Sequence, residues 1–153
     1  MIVRTIAAKE IEKYMPHRPP MVWIDDVLEF SEKAGTCRVV LKMDAHYMDE
    51  SGLRASACLE FIAQAHGFIS VCHHIYVLNP DSKPLSKAYL ASFKDARLAS
   101  PEILRTLRTG DELQVYIEGV RTMGQIVMFT GRVKRGDLLL CEAQLKTFKE
   151  YSE

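Results

Sequence analysis

The stretch Leu53–His73, LRASACLEFIAQAHGFISVCH, decides the fold. It is rich in Ala, Leu, Phe and Ile and holds no proline, so it reads as helix. Apolar residues fall on nearly every side of that helix, which demands cover all round. Such a helix cannot lie on a sheet with one face in water. It must be wrapped by a curved sheet or covered by a second molecule. One carboxylate interrupts it: Glu60, between Leu59 and Phe61. Gln64 lies four residues on and shares its face, as do Ser56 and Gly67. A carboxylate in apolar surroundings costs several kcal/mol unless it is paired or protonated. The expectation is a raised pKa and the capacity to act as a general acid near neutrality.

Upstream, residues 44–52 (DAHYMDESG) read as polar loop, with His46 fourteen positions before Glu60. Residues 36–43 alternate: Cys37, Val39, Leu41 and Met43 on one side, Thr36, Arg38, Val40 and Lys42 on the other, the period of a half-buried strand. Residues 22–30 (VWIDDVLEF) read as another strand. Met15–Met21, MPHRPPM, is loop, because its three prolines remove backbone donors. Residues 6–14 predict a short amphipathic helix with Thr5 as N-cap and Pro16 as its stop.

Downstream, a Pro-Asp turn is expected near Asn79. Strand-like runs follow at residues 88–97, 112–122, 125–134 and 138–148. Met123-Gly124 and Lys134-Arg135-Gly136-Asp137 read as hairpin turns, and Pro101–Leu107 as a short helical turn. The plan is two strands, one long apolar helix and a four-stranded meander: an α+β fold with an antiparallel sheet around a central helix.

The chain has 153 residues, which predicts one domain over 1–153. Lys+Arg and Asp+Glu are both 20, so no charge excess marks a nucleic-acid or anionic-membrane binder. A hydrophobic share of 48% excludes a disordered chain. No continuous apolar run is long enough for a membrane span and no signal peptide is recognisable, so a cytoplasmic protein is expected. Cys37, Cys58, Cys72 and Cys141 form no C-x-x-C pair and read as reduced, buried thiols. Five histidines are candidate bases. His46 leads; His17 sits in the proline-rich loop; His66, His73 and His74 lie on or at the end of the helix, where packing or solvation is the commoner role. Adjacent His73 and His74 cannot face one metal from a helix, so no metal site is expected. Neither a phosphate-binding glycine loop nor a G-x-S-x-G elbow is present.

The string Tyr14–Phe30, YMPHRPPMVWIDDVLEF, resembles the opening of the β-hydroxyacyl-acyl-carrier-protein dehydratases of fatty acid synthesis. The resemblance continues through His46, through Glu60 with LEFIAQA, and through KDARL, TGDELQVYIEGV and GDLLLCEAQL, in order over nearly the whole chain. The fatty-acid enzymes carry Gly-His-Phe-Pro where this chain reads Ala45-His46-Tyr47-Met48, and Pro-Gly where it reads Arg54-Ala55. The nearest likeness is to the divergent dehydratases of aryl-polyene clusters, which also lack parts of that pattern.

The resemblance implies a hotdog fold, a curved antiparallel sheet wrapped around one long helix. It implies 3-hydroxyacyl-carrier-protein dehydration, with His46 taking the α-proton and Glu60 protonating the departing hydroxyl. Backbone N–H groups at the helix start would steady the enolate-like thioester oxygen. His17, Gln64, Ser56 and Gly67 fall to supporting or substrate-binding roles. The pair of one site would come from two subunits of a homodimer, or of a heterodimer with a related dehydratase subunit. No cofactor beyond the acyl carrier protein's phosphopantetheine arm is implied. Two other readings keep the fold: a thioesterase with a water-activating helical carboxylate, and a non-catalytic acyl-binding subunit of a heteromeric dehydratase. His17 is left between three roles: hydrogen-bond donor, tunnel wall, or cation at the first helix's carbonyls.

Overall fold

The computed structural model describes residues 1–43, 45–78 and 87–150. The turn expected near Asn79 lies outside these residues. Helix α2, Ala55–His73, occupies the predicted stretch and runs on as a π-turn through Leu78. Eleven of its residues are buried, among them Phe61, Ile62, Ala65, Phe68 and Ile69. By hydropathy alone Ala55–Leu78 is apolar enough to cross a membrane, but 61% of its most apolar stretch is enclosed by the fold.

The enclosure is a seven-stranded antiparallel sheet. Its strands are β1 (Ile2–Ala7), β2 (Asp26–Phe30), β3 (Gly35–Val40), β6 (Lys87–Leu98), β7 (Glu112–Met123), β8 (Ile126–Arg135) and β9 (Leu138–Glu150). Their order across the sheet is β1-β2-β3-β7-β8-β9-β6. Inward positions repeat every second residue: Leu113, Val115 and Ile117 on β7, Val127, Phe129 and Val133 on β8, Cys141, Ala143 and Leu145 on β9. Two-residue turns at Gly124-Gln125 and Gly136-Asp137 join β7–β9, each glycine at positive φ, 61° and 58°. Register breaks in β1, β2, β6, β7 and β9 bend the sheet around the helix. Two glycines let it close. A Cβ on Gly35 would meet Ile69 at 2.7 Å, and one on Gly131 would meet Ile62 at 2.1 Å. The architecture is a hotdog fold.

Four details differ from the sequence reading. Ile2–Ala7 form an edge strand, and the first helix shrinks to α1, Ala8–Ile11, plus a 3-10 turn through Tyr14; Thr5 lies in the strand and caps nothing. Strand β2 starts four residues late, because the backbone at Met21 and Trp23 bonds the Gln64 side chain instead of the sheet. The loop over 44–52 contains a two-residue hairpin, β4 (Met48–Asp49) and β5 (Gly52–Leu53). Strand β6 does not sit beside β7. It pairs with β9 at the far edge, and the chain returns through α3, Pro101–Leu104, to the sheet centre. Its described side chains from Leu90 to Leu98 are exposed, including Phe93.

All four cysteines are free and buried, as expected. Burial pushes the Cys58 and Cys72 thiols up to about 12 and that of Cys141 to about 11, so none is a nucleophile near neutrality.

Candidate functional site

Glu60 is half-buried in the second turn of α2, on the wall of a cavity. Two donors hold its Oε1. Gln64 Nε2 lies at 3.0 Å and His17 Nε2 at 3.3 Å. Gln64 is fully buried and saturated: its amide also donates to the Met21 carbonyl, and its oxygen accepts from Trp23 N–H. The helical i, i+4 spacing therefore fixes Glu60 and locks the proline loop onto the helix.

The pair changes the expected charge of Glu60. Burial pushes its pKa up, but the bonds from His17 and Gln64 outweigh that push and hold it below the usual carboxylate value. The expectation of a protonated Glu60 is corrected: in this chain it is a carboxylate at neutral pH.

His17 does not cap the first helix. Arg18 Nη1 donates to the carbonyls of Glu12, Met15 and His17 there, leaving the imidazole free to turn toward Glu60. His46 is exposed on the turn before β4 and lies outside the lining of the cavity beside Glu60. Its neighbour Tyr47 is the anchor of that turn, 2% exposed and packed edge-on against Phe61 and Trp23 at 5.2 Å each. Ser56 is exposed in the first helical turn, also outside that lining. Gly67 lines the cavity, and a Cβ there would meet Met15 Cε at 2.8 Å. The start of α2 carries no side-chain cap, so its first N–H groups have no side-chain acceptor.

The cavity has a volume of about 430 Å³. Its wall is Glu60, Ala63, Gly67 and Ser70 from α2, Tyr14 to His17 from the loop, and Val120, Thr122, Thr147 and Lys149 from the sheet. His66, His73 and His74 also reach it. Thr147 and Lys149 were not expected at the site, and for His66 packing or solvation was the expected role. A signal for Thr147 was present: it is the one polar residue in the inward series Cys141, Ala143, Leu145, Thr147.

A curved antiparallel sheet closed on one helix, with a hydrogen-bonded carboxylate on that helix beside a cavity, defines a hotdog-fold protein with an acidic site. A model of the ApeP-like family, described as ApeP dehydratase, matches residues 9–152. The chain is similar to the 3-hydroxyacyl-[acyl-carrier-protein] dehydratase FabZ of Actinobacillus succinogenes, 29% identical over 150 residues, covering 93% of this chain and 91% of that one. Its fold matches the dehydratase heterocomplex ApeI:P from Xenorhabdus doucetiae with a TM-score of 0.78 at 20% identity, over 93% and 91% of the two chains. A hypothetical thioesterase protein with coenzyme A from Streptococcus pneumoniae follows at 0.62 and 9% identity, over 96% and 99%. The chain belongs to the ApeP-like family, hotdog dehydratases related to those of aryl-polyene biosynthesis.

Proposed function

We propose that this chain works as a subunit of a 3-hydroxyacyl-carrier-protein dehydratase, with its acyl group in the Glu60 cavity. The observation that carries the reading is Glu60 itself, a helical carboxylate held by two donors on the wall of a cavity of about 430 Å³. Dehydration breaks the α-C–H bond, moves its electron pair into a C=C bond and expels the β-hydroxyl. A histidine takes the α-proton, and a protonated Glu60 gives its proton to the departing hydroxyl, which leaves as water. The uncapped start of α2 offers N–H donors for the charge on the thioester oxygen.

Glu60 needs a partner subunit for the acid role. Within one chain it is ionised and His46 stands apart from it. A second subunit covering the open side of α2 would desolvate Glu60, which acts upward on its pKa, and would bring a second His46 to the site. The exposed edge strand β6, with Leu90, Phe93 and Leu98 on it, is the kind of surface a partner closes. The acyl group arrives on a carrier protein's phosphopantetheine arm, and no other cofactor enters these steps.

The deciding assay incubates the protein with a 3-hydroxyacyl carrier protein, alone and with a related dehydratase subunit, and looks for enoyl product. His46→Ala and Glu60→Gln each abolish it. In a homodimer, mixing the two variants recovers activity, since one of the two sites then has both residues intact. No recovery in such a mixed dimer removes the shared-site reading. Turnover that appears only with the partner and survives His46→Ala in this chain supports the second reading, an acyl-binding subunit whose own histidine is idle. The exposure of His46 favours that alternative.

A further inference from the structure

Two buried polar atoms on residues of the cavity wall have no hydrogen-bond partner among the described residues. They are His66 Nε2 and Thr147 Oγ1. Each residue is only 5% exposed, and both line the cavity that Glu60 opens into. Two further buried polar atoms lack partners, His17 Nδ1 and Trp23 Nε1; the first belongs to the pair already described, and Trp23 lies outside the cavity wall. An unmade bond at a buried polar group is costly, so two such groups facing one cavity call for a ligand atom.

We infer that His66 and Thr147 form a polar subsite for a neutral oxygen function, a hydroxyl, carried on the acyl chain well beyond the reacting carbons. The inference rests on the reading that the cavity holds an acyl group. The imidazole is fixed, because its ring stacks on Phe129 with centroids 4.2 Å apart and planes 17° from parallel. Its nitrogen cannot swing away to water. Thr147 sits on β9 opposite Val127 of β8, one inward position from the Phe129–Leu145 pair. The same patch of sheet thus supports both groups. Six residues separate Glu60 from His66, which is about 9 Å along the helix axis. The bound hydroxyl therefore lies several carbons past the β-carbon.

At His66 the chemistry favours a hydroxyl over a carboxylate, and Lys149, also on the cavity wall, is the group a carboxylate end would seek instead. Burial, with a smaller push from Lys149, holds the His66 imidazole down to about 3, so it offers no positive charge at neutral pH. Burial also lowers the Lys149 ammonium from its ordinary value. A hydroxyl both donates and accepts, as does the Thr147 side chain, while a neutral imidazole nitrogen does one or the other according to its tautomer.

The test is calorimetric binding to the assembled protein. The probes are non-hydrolysable acyl-pantetheine amides of one medium chain length, ending in a methyl, a hydroxyl or a carboxylate. The hydroxyl-ended probe binds about tenfold tighter than the methyl-ended one. His66→Phe and the near-isosteric Thr147→Val each bring that ratio close to unity. Equal affinities in the unaltered protein overturn the subsite, as do a ratio that survives both substitutions, a preference for the carboxylate end, or no binding of any probe. Turnover of 3-hydroxyacyl carrier protein is read separately. Dehydration without end-group preference removes the subsite alone. Hydroxyl preference without dehydration removes the catalytic reading alone.

Discussion

The two sides of α2 obey different rules. On the sheet side, Phe61, Ile62, Ala65 and Ile69 are at most 2% exposed, and glycines at 35 and 131 give up their side chains so that Ile69 and Ile62 can fit. On the cavity side, Glu60, Ala63, Gly67 and Ser70 line the cavity, and Glu60 pairs with His17 of the proline loop. One helix thus carries a close-packed surface that specifies the fold and a loosely filled surface that specifies chemistry. Substitutions on the first side should act on stability and on the second side on activity. Where one variant does both, the division fails.

The largest effect is expected at Glu60. Glu60→Gln removes the proton donor at the departing hydroxyl, and loss of general acid catalysis costs about 10²–10⁴-fold in turnover. Stability should fall by no more than about 1 kcal/mol, because the half-exposed carboxylate trades one hydrogen bond with His17 for a neutral one. Steady-state kinetics and urea melts on one sample read both. A Glu60→Gln variant that unfolds easily would make Glu60 a structural residue.

On the packed side, Gly131→Ala is the counterpart. Its added methyl would sit 2.1 Å from Ile62 Cγ2, deep between sheet and helix, where neither element can retreat freely. Overpacking of this kind costs roughly 1–3 kcal/mol. The urea midpoint should drop accordingly, with the pH dependence of turnover unchanged. An unaltered midpoint would show that the sheet flexes and that the close fit is not what holds it to α2.

The same division explains what could be read without the structure. The helix was legible because nineteen residues without a proline, most of them apolar, leave little choice of element. Strands β7 to β9 were legible from alternation and from glycine turns. Strand order was not: local pattern says nothing about pairing β6 with β9 across the sheet rather than with β7. Glu60 and Gln64 were legible as a pair, since helical spacing alone makes them meet. Contact between His17 and Glu60 was not, because it spans forty-three positions and depends on Gln64 seizing the backbone at Met21 and Trp23. The first strand was not legible: its short run of mixed polarity shows no clean alternation, and its last two residues, Ile6 and Ala7, fall in the helix expected over 6–14.

His17 gives a smaller effect that sharpens the comparison. His17→Ala removes a donor that favours the charged form of Glu60, so the Glu60 pKa should move up. A depressed carboxylate pKa adds stability above the unfolded value and loses it as pH falls through the folded value. The variant should therefore lose part of its advantage at neutral pH and show a flatter acid limb in a plot of stability against pH. Carboxyl chemical shifts from NMR would report the pKa directly. Turnover should fall on the order of tenfold, the worth of about 1.4 kcal/mol, and by far less than in Glu60→Gln. Complete loss of activity with an unchanged melting temperature would move the role of base from His46 to His17.

The smallest effect is expected at Gly67, and it is the most direct test of the loosely filled side. A methyl there meets Met15 Cε at 2.8 Å, as close to forbidden as the contact at Gly35. The neighbour differs in kind. Met15 ends in a flexible thioether at the edge of the cavity, with free rotations that let its terminal methyl swing into open space. Gly67 also sits within a long helix, where alanine is the better helix former by about 1 kcal/mol. The two contributions oppose each other, so Gly67→Ala should leave stability within about 0.5 kcal/mol of the parent. The displaced methyl and the added one both take volume from the cavity, so longer acyl thioesters should bind more weakly while short ones are unaffected. A chain-length series measured on the variant and the parent separates these outcomes. A large loss of stability in Gly67→Ala would mean that the loop carrying His17 is packed as tightly on α2 as the sheet is.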